Sequence, residues 1–209
     1  MTSLCQRRWS PNHVTGPFSS RLQARALRDF CVRTLLVLIL SGIFQARAQE
    51  SKEYQIKAAF LFNFAQFVEW PSAAFADSQT PISIGVLGDD PFGAVLDQTV
   101  QGETIHSRKL VVQRSRRLED LKGCHLLFIS KSEKSRVGDI LSGLGSSSVL
   151  TVSETESFAR RGGIINFYLD GNKVRFEINA QAAQQKGIKI SSQLLKLGKA
   201  VTAGPAKEN

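Results

Sequence analysis

Beyond residue 49 the side chains most able to do chemistry are His106, Cys124 and His125. A zinc site takes about three or four ligands, usually in pairs roughly two to four residues apart, and these residues do not offer that spacing. Cys124 and His125 are adjacent, but on a strand adjacent side chains point to opposite faces, so a nucleophile–base pair is not expected. There is no G-x-S-x-G elbow, no H-E-x-x-H and no Walker loop. The loop Gly85 to Gly93 (GVLGDDPFG) places a glycine between an apolar strand and a helix, as dinucleotide-binding turns do. Its fingerprint is missing, and Asp89 and Asp90 would repel a pyrophosphate at that helix terminus. No cofactor is expected.

What remains is a binding chemistry. Asp89, Asp90 and Glu154 are expected at the carboxyl edge of a sheet, where open α/β sheets hold ligands, and would suit a small cationic or hydroxylated molecule. Arg114, Arg116 and Arg117 are followed by Glu119 and Asp120, which reads as a solvated loop rather than an anion patch.

These residues must be positioned by a core, and 42% hydrophobic residues in 209 suit one globular domain; three Cys exclude a disulfide scaffold. The net charge of +9 is concentrated at the start of the chain. Arg7, Arg8, Arg21, Arg25, Arg28, Arg33 and Arg47 precede residue 49 against the single acid Asp29, which leaves 20 bases and 17 acids beyond it. That balance gives no footprint for nucleic acid.

The apolar run Leu35 to Phe44, preceded by basic residues and followed by Ala46-Arg47-Ala48, reads as a signal peptide over residues 1–48, on a gene model whose start is expected to be over-extended. The run is shorter than the roughly 20 residues a bilayer needs, so no membrane anchor is expected. Cys5 and Cys31 would leave with the leader, and Cys124 would remain as a buried thiol.

Within 49–200, residues 52–70 predict a long helix, with Lys52, Gln55, Asn63, Gln66 and Glu69 on one polar stripe and Glu53 with Lys57 as a surface i,i+4 pair. Pro71 ends it. Strands are predicted at 82–87, 109–113, 125–130 and 149–152. Helices are predicted at 91–99, capped by Asp90, and at 131–144, opened by Ser130 with Glu133. Ser153 with Glu156 repeats that capping box before a short helix closed by Gly162-Gly163.

Residues 164–169 and 173–178 read as a hairpin around Asp170-Gly171-Asn172. Helices over 180–185 and 191–199 and a polar tail over 201–209 complete the chain. The fold class is therefore α/β: a single domain with a mostly parallel sheet, helices on both faces and an antiparallel edge hairpin. Lys173, Arg175 and Glu177 alternate with Val174, Phe176 and Ile178, so the hairpin's polar face is the expected partner-binding surface.

The blocks Tyr54 to Pro71 (YQIKAAFLFNFAQFVEWP), Ile84 to Gly93, Gly163 to Leu169 (GIINFYL), Val174 to Asn179 (VRFEIN) and Lys189 to Leu197 (KISSQLLKL) resemble the YfiR family of periplasmic proteins. The resemblance implies a regulator rather than an enzyme. Such a regulator binds the periplasmic domain of an inner-membrane diguanylate cyclase, or of another membrane partner such as a histidine kinase, and holds it inactive. Cyclic-di-GMP production and biofilm formation are thereby restrained. A second copy of the chain is a further partner to consider. Cysteine-pair redox control, which the resemblance also implies, has no counterpart in a chain left with Cys124 alone. The alternative reading is a soluble periplasmic small-ligand-binding protein serving a sensor kinase or an uptake system.

The leader generates the first prediction. The exported protein should begin at Gln49, so its intact mass should correspond to residues 49–209; a species retaining Ala48 overturns the assignment.

Overall fold

The computed structural model describes residues 52–204, which belong to one compact unit. The expected leader, and residues 205–209 of the expected tail, lie outside the described residues. Helix α1 spans 52–66. Its Ala58, Leu61, Phe64 and Ala65 are fully buried, at the i, i+3, i+6 and i+7 positions that give one apolar stripe. The helix stops before the expected Trp70. Phe67 N–H still bonds Asn63 O, but Val68–Glu69 form strand β1, antiparallel to β9 (Lys189–Ile190). Pairing with a distant strand outweighs local helix propensity there.

Five strands are parallel: β2 (Ile82–Leu87), β4 (Arg108–Ser115), β5 (Leu126–Ile129), β6 (Leu150–Ser153) and β7 (Ile165–Asp170). They lie in the order β4-β2-β5-β6-β7. That is a doubly wound arrangement whose chain direction across the sheet reverses between β2 and β5. β3 (Thr104–Ile105) adds antiparallel to β4 through a turn at His106 and Ser107, both at positive φ. On the other side β8 (Lys173–Ile178) is antiparallel to β7, in the register Asp170↔Lys173 through Ile165↔Ile178. The hairpin is where the sequence puts it, but it is not the outermost element. β10 (Lys199–Ala200), whose Lys199 is the expected end of a helix, pairs parallel with Glu177 and Ile178.

Helices cover both faces. α1, α2 (Ala94–Val100), α4 (Ala180–Gln185) and α5 (Ser192–Leu197) contribute to one core with Ile84, Phe128, Val152, Phe167 and Phe176. α3 (Val137–Gly143) and the 3-10 turns Leu118–Leu121 and Phe158–Arg161 close a second core with Leu87, Cys124, Leu127 and Ile129. Alternation along the central strands divides each between the two cores, which is why they read as continuous apolar runs.

Three expected caps act differently. Asp90 Oδ1 accepts from Phe92 N–H at 2.8 Å, so it closes a turn, and α2 starts only at Ala94 after Gly93. Residues Lys131–Arg136 are a 3-10 helix leading into α3, with Ser130 Oγ accepting from Ser132 N–H. Ser153 is buried in β6, where its hydroxyl donates to Ile129 O at 2.8 Å rather than opening a helix.

Close packing fixes one backbone position sharply. A Cβ on Gly163 would lie 2.1 Å from Cε1 of the fully buried Phe158 ring, whereas one on Gly123 would meet nothing within 4 Å. Gly163→Ala should cost about 1–3 kcal/mol through overpacking, and Gly123→Ala should stay within about 0.5 kcal/mol. Urea midpoints at unchanged slope check both.

Candidate functional site

The carboxyl end of β6 carries the most unusual electrostatics in the fold. Lys57 on α1 is 2% exposed, and its ammonium pairs with both Glu53 and Glu154. Tyr54 donates its hydroxyl to Glu154 Oε1 at 2.8 Å, and Lys131 Nζ approaches the same oxygen at 3.6 Å. The Lys57 ammonium also sits 4.6 Å from the Tyr54 ring centroid. One helical turn of α1 thus supplies Glu53, Tyr54 and Lys57, and the loop after β6 supplies Glu154. Of the surface pair expected at Glu53 and Lys57, Lys57 is instead buried and Glu53 partly so. The pair's position off the polar stripe of the helix was the available sign of this.

Glu154 also lines a cleft of about 400 Å³ with Ser157, Arg160, Tyr168, Glu177 and Lys199. Ser157 holds φ of 59°, a left-handed conformation uncommon for a non-glycine residue. The buried Asn166 amide braces the wall, oriented so that its NH2 donates to Thr155 O at 2.7 Å and Ser153 O at 3.3 Å.

Glu177 lies here with its carboxylate 3.5 Å from Lys199 Nζ. Arg175, half exposed, reaches Asp170 at 3.7 Å, and Lys173 is exposed at the hairpin tip. The period of the strand puts all three on the face opposite Phe176. Tyr168 pairs with Arg175 and Asn166 with Glu177, so the polar face of the hairpin runs on into the cleft. The sequence assigns Glu154 and Glu177 to two separate sites, and the fold brings them to one. Arg160, Tyr168 and Lys199 carried no motif that would have singled them out.

Asp89 and Asp90 sit elsewhere, after β2. Asp89 is exposed and pairs with Arg116 at 2.7 Å. Asp90 and Asp97 share Arg114, each at 2.6 Å. Its hydrogen bonds hold the Asp97 carboxyl below the usual range and raise Arg114 in return. The crossover between β2 and β5 is filled at this end. Asp89 N–H donates to Ser132 Oγ at 3.0 Å, and a Cβ on Gly88 would lie 2.4 Å from that oxygen.

At the amino end of β5, Cys124 is buried and burial pushes its thiol up, away from thiolate character. The ring nitrogens of His125 face Ala74 O and Ser83 rather than Cys124. Among the described residues no group of three or more His, Cys, Asp or Glu is placed to hold a metal ion. No helix among them is long and apolar enough to cross a membrane. The arrangement at the β6 end suits recognition of a mixed-charge surface or a small polar molecule.

A family model described as YfiR/HmsC-like matches residues 54–199. One solved structure, a conserved domain protein from Vibrio cholerae O1 biovar eltor, shares 15% identity with this chain at a TM-score of 0.44. That match covers 57% of this chain, and the chain spans about half of that protein, 54% of its length. No curated protein matches.

The buried charges predict a pattern of stability. Lys57→Met leaves two carboxylates around an uncharged side chain and should cost about 3–5 kcal/mol. Adding Glu154→Gln should recover part of that loss, a coupling that a double-mutant cycle measures. Asp89→Ala, which breaks only an exposed pair, should change stability by about 0.5 kcal/mol or less.

Proposed function

The chain belongs to the YfiR/HmsC-like family, and from that premise we propose that it is a periplasmic regulator that binds and restrains an inner-membrane signalling protein, a diguanylate cyclase in the first instance. The observation that carries this reading is the family match across residues 54–199, which spans nearly the whole described domain. The polar face of the hairpin supports this reading. The outer face of the β7–β8 hairpin presents Lys173, Arg175 and Tyr168 beside a cleft containing Arg160 and Lys199. A surface of mixed charge around one exposed aromatic ring suits a reversible protein contact, in which rim charges steer the approach and the aromatic side chain anchors it. Lys173, Arg175 and Glu177 are the proposed partner contacts, and a histidine kinase is the second candidate partner.

A ligand-binding role is favoured by one observation, the cleft of about 400 Å³ next to Glu154. In that reading a small polar molecule would sit among Glu154, Arg160 and Lys199 and would serve a sensor or an uptake system. Asp89 and Asp90 form a separate proposed contact at the end of β2.

Deleting the gene should raise cellular cyclic-di-GMP, and expressing the exported protein should bring it back down. A protein carrying Lys173→Glu and Arg175→Glu should be exported at the same level yet fail to restore it. An unchanged cyclic-di-GMP level in the deletion strain, under conditions where its inner-membrane diguanylate cyclases are expressed, removes the cyclase as partner.

A further inference from the structure

At the opposite end of the sheet from Glu154, the segment 70–81 is fastened down by one imidazole. His125 is buried at the start of β5. Its Nε2 lies 3.1 Å from Ala74 O, and because a carbonyl only accepts, that nitrogen carries the proton. Nδ1 is therefore a bare acceptor. It receives Ser83 N–H at 3.1 Å and faces the Ser83 hydroxyl at 3.0 Å. The neutral ring satisfies every partner, whereas an imidazolium would set a second N–H against the Ser83 backbone N–H.

The same ring organises the segment by stacking. Phe75 lies on it with centroids 4.4 Å apart and planes at 19°. Trp70 meets it edge-on at 5.9 Å and donates its indole N–H to His125 O at 3.0 Å. Arg108 of β4 sits 3.9 Å over the Phe75 ring and donates to Asp77 O and Thr80 O, each at 2.8 Å. The imidazole thus holds the connection from β1 to β2 at Ala74 and Phe75, and Arg108 holds it at Phe75, Asp77 and Thr80.

We infer that His125 is a proton-operated latch: on taking up a proton it releases the segment 70–81 from the amino end of the sheet. The groups around it oppose the charge. Arg108 from β4 and Lys122, which shares a cleft with His125, are both cationic. Cys124 is a buried thiol. Asp77, the carboxylate of the segment itself, is committed to Gln79 N–H and to the N–H and hydroxyl of Thr80. β2 faces the ring with the uncharged Ser83, and the loop 146–148 brings only serines. Burial pushes His125 below its ordinary value, the Ala74 carbonyl pulls the other way, and Arg108 adds to the lowering.

The sign follows from linkage. An unfolded or released imidazole takes its proton near pH 6.5, and the latched one takes it only at lower pH. The latch therefore contributes fully above about pH 6.5 and is lost as pH falls through the lower folded-state value. Release also removes Ala73 and Ala74 from the wall of a cleft of about 300 Å³ lined by Lys122, Ser146 and Ser148. Acid would therefore open that cleft to solvent.

The test needs neither partner nor ligand, so its failure leaves the regulatory reading untouched. The chain has two Trp; Trp9 lies in the expected leader, so in the exported protein beginning at Gln49 the indole of Trp70 is the sole reporter, and Trp9→Phe gives the same in the full chain. Its emission should shift to the red on acidification from about pH 7.5, with a midpoint below about pH 6.5 and an unchanged far-UV spectrum. His125→Asn keeps an acceptor for Ser83 N–H without a titrating proton, and should abolish the shift. In the parent protein, the His125 ring resonance and the amide resonances of residues 72–80 should move with one midpoint, a measurement that stands if His125→Asn fails to fold. The latch is overturned if His125→Asn shows the same shift, if the ring titrates while the segment's amides do not move, or if the far-UV spectrum is lost at the same midpoint.

Discussion

A buried ammonium must have its counter-charges in place before the core around it can close. Lys57 therefore ties α1 to the carboxyl end of β6 through Glu154. The desolvation of three charges is offset only if all of them meet in one geometry, so the cluster contributes little net stability but specifies one docking of the helix. Given that docking, Phe60 and Phe64 of α1 reach Phe167 and Phe176 of the hairpin, with ring centroids between 5.0 and 6.0 Å apart. The hairpin is thereby placed with its apolar face inward and its polar face beside the cleft. The same helix thus meets the Glu154 carboxylate through Lys57 and the apolar face of the hairpin through Phe60 and Phe64.

The other end of α1 is held by quite different means. Beyond the helix, Val68 and Glu69 join β9, and Trp70 reaches the carbonyl of His125. One end is fixed by charge and the other by neutral hydrogen bonds and stacked rings, so the two respond to different conditions. At the His125 end the sensitive quantity is the protonation of a single ring, because among the described residues no carboxylate pairs with it.

The crossover between β2 and β5 would ordinarily leave a crevice for ligands. Here Ser132 and Glu133 close against Gly88, a contact possible only because Gly88 has no Cβ and holds φ of 92°. Space opens instead beyond β6 and β7, where the connection through the 3-10 turn Phe158–Arg161 is too short to cover the strand ends. The site has moved two strands across the sheet because loop packing, rather than strand order, decides where a cleft remains.

Much of the architecture is set by the chain's own pattern. Nearly continuous apolar runs at Ile82–Leu87 and Leu126–Ile129 require a sheet covered on both faces, and Asp170-Gly171-Asn172 between alternating segments requires a hairpin. Those signals are local, since period and turn chemistry act over a few residues. β1, β9 and β10 carry no such signal, because two-residue strands exist only by virtue of partners far along the chain. The burial of Lys57 is of the same kind. Residue order places it off the polar stripe of α1, but whether that flank meets water or a carboxylate depends on where β6 ends. Glu154 and Glu177, distant in sequence and alike in type, become neighbours only when β7 lies down between β6 and β8. Sequence alone determined the layers and the hairpin; tertiary packing decided which charges are buried and where the cleft lies, because desolvation and proximity are properties of the folded chain as a whole.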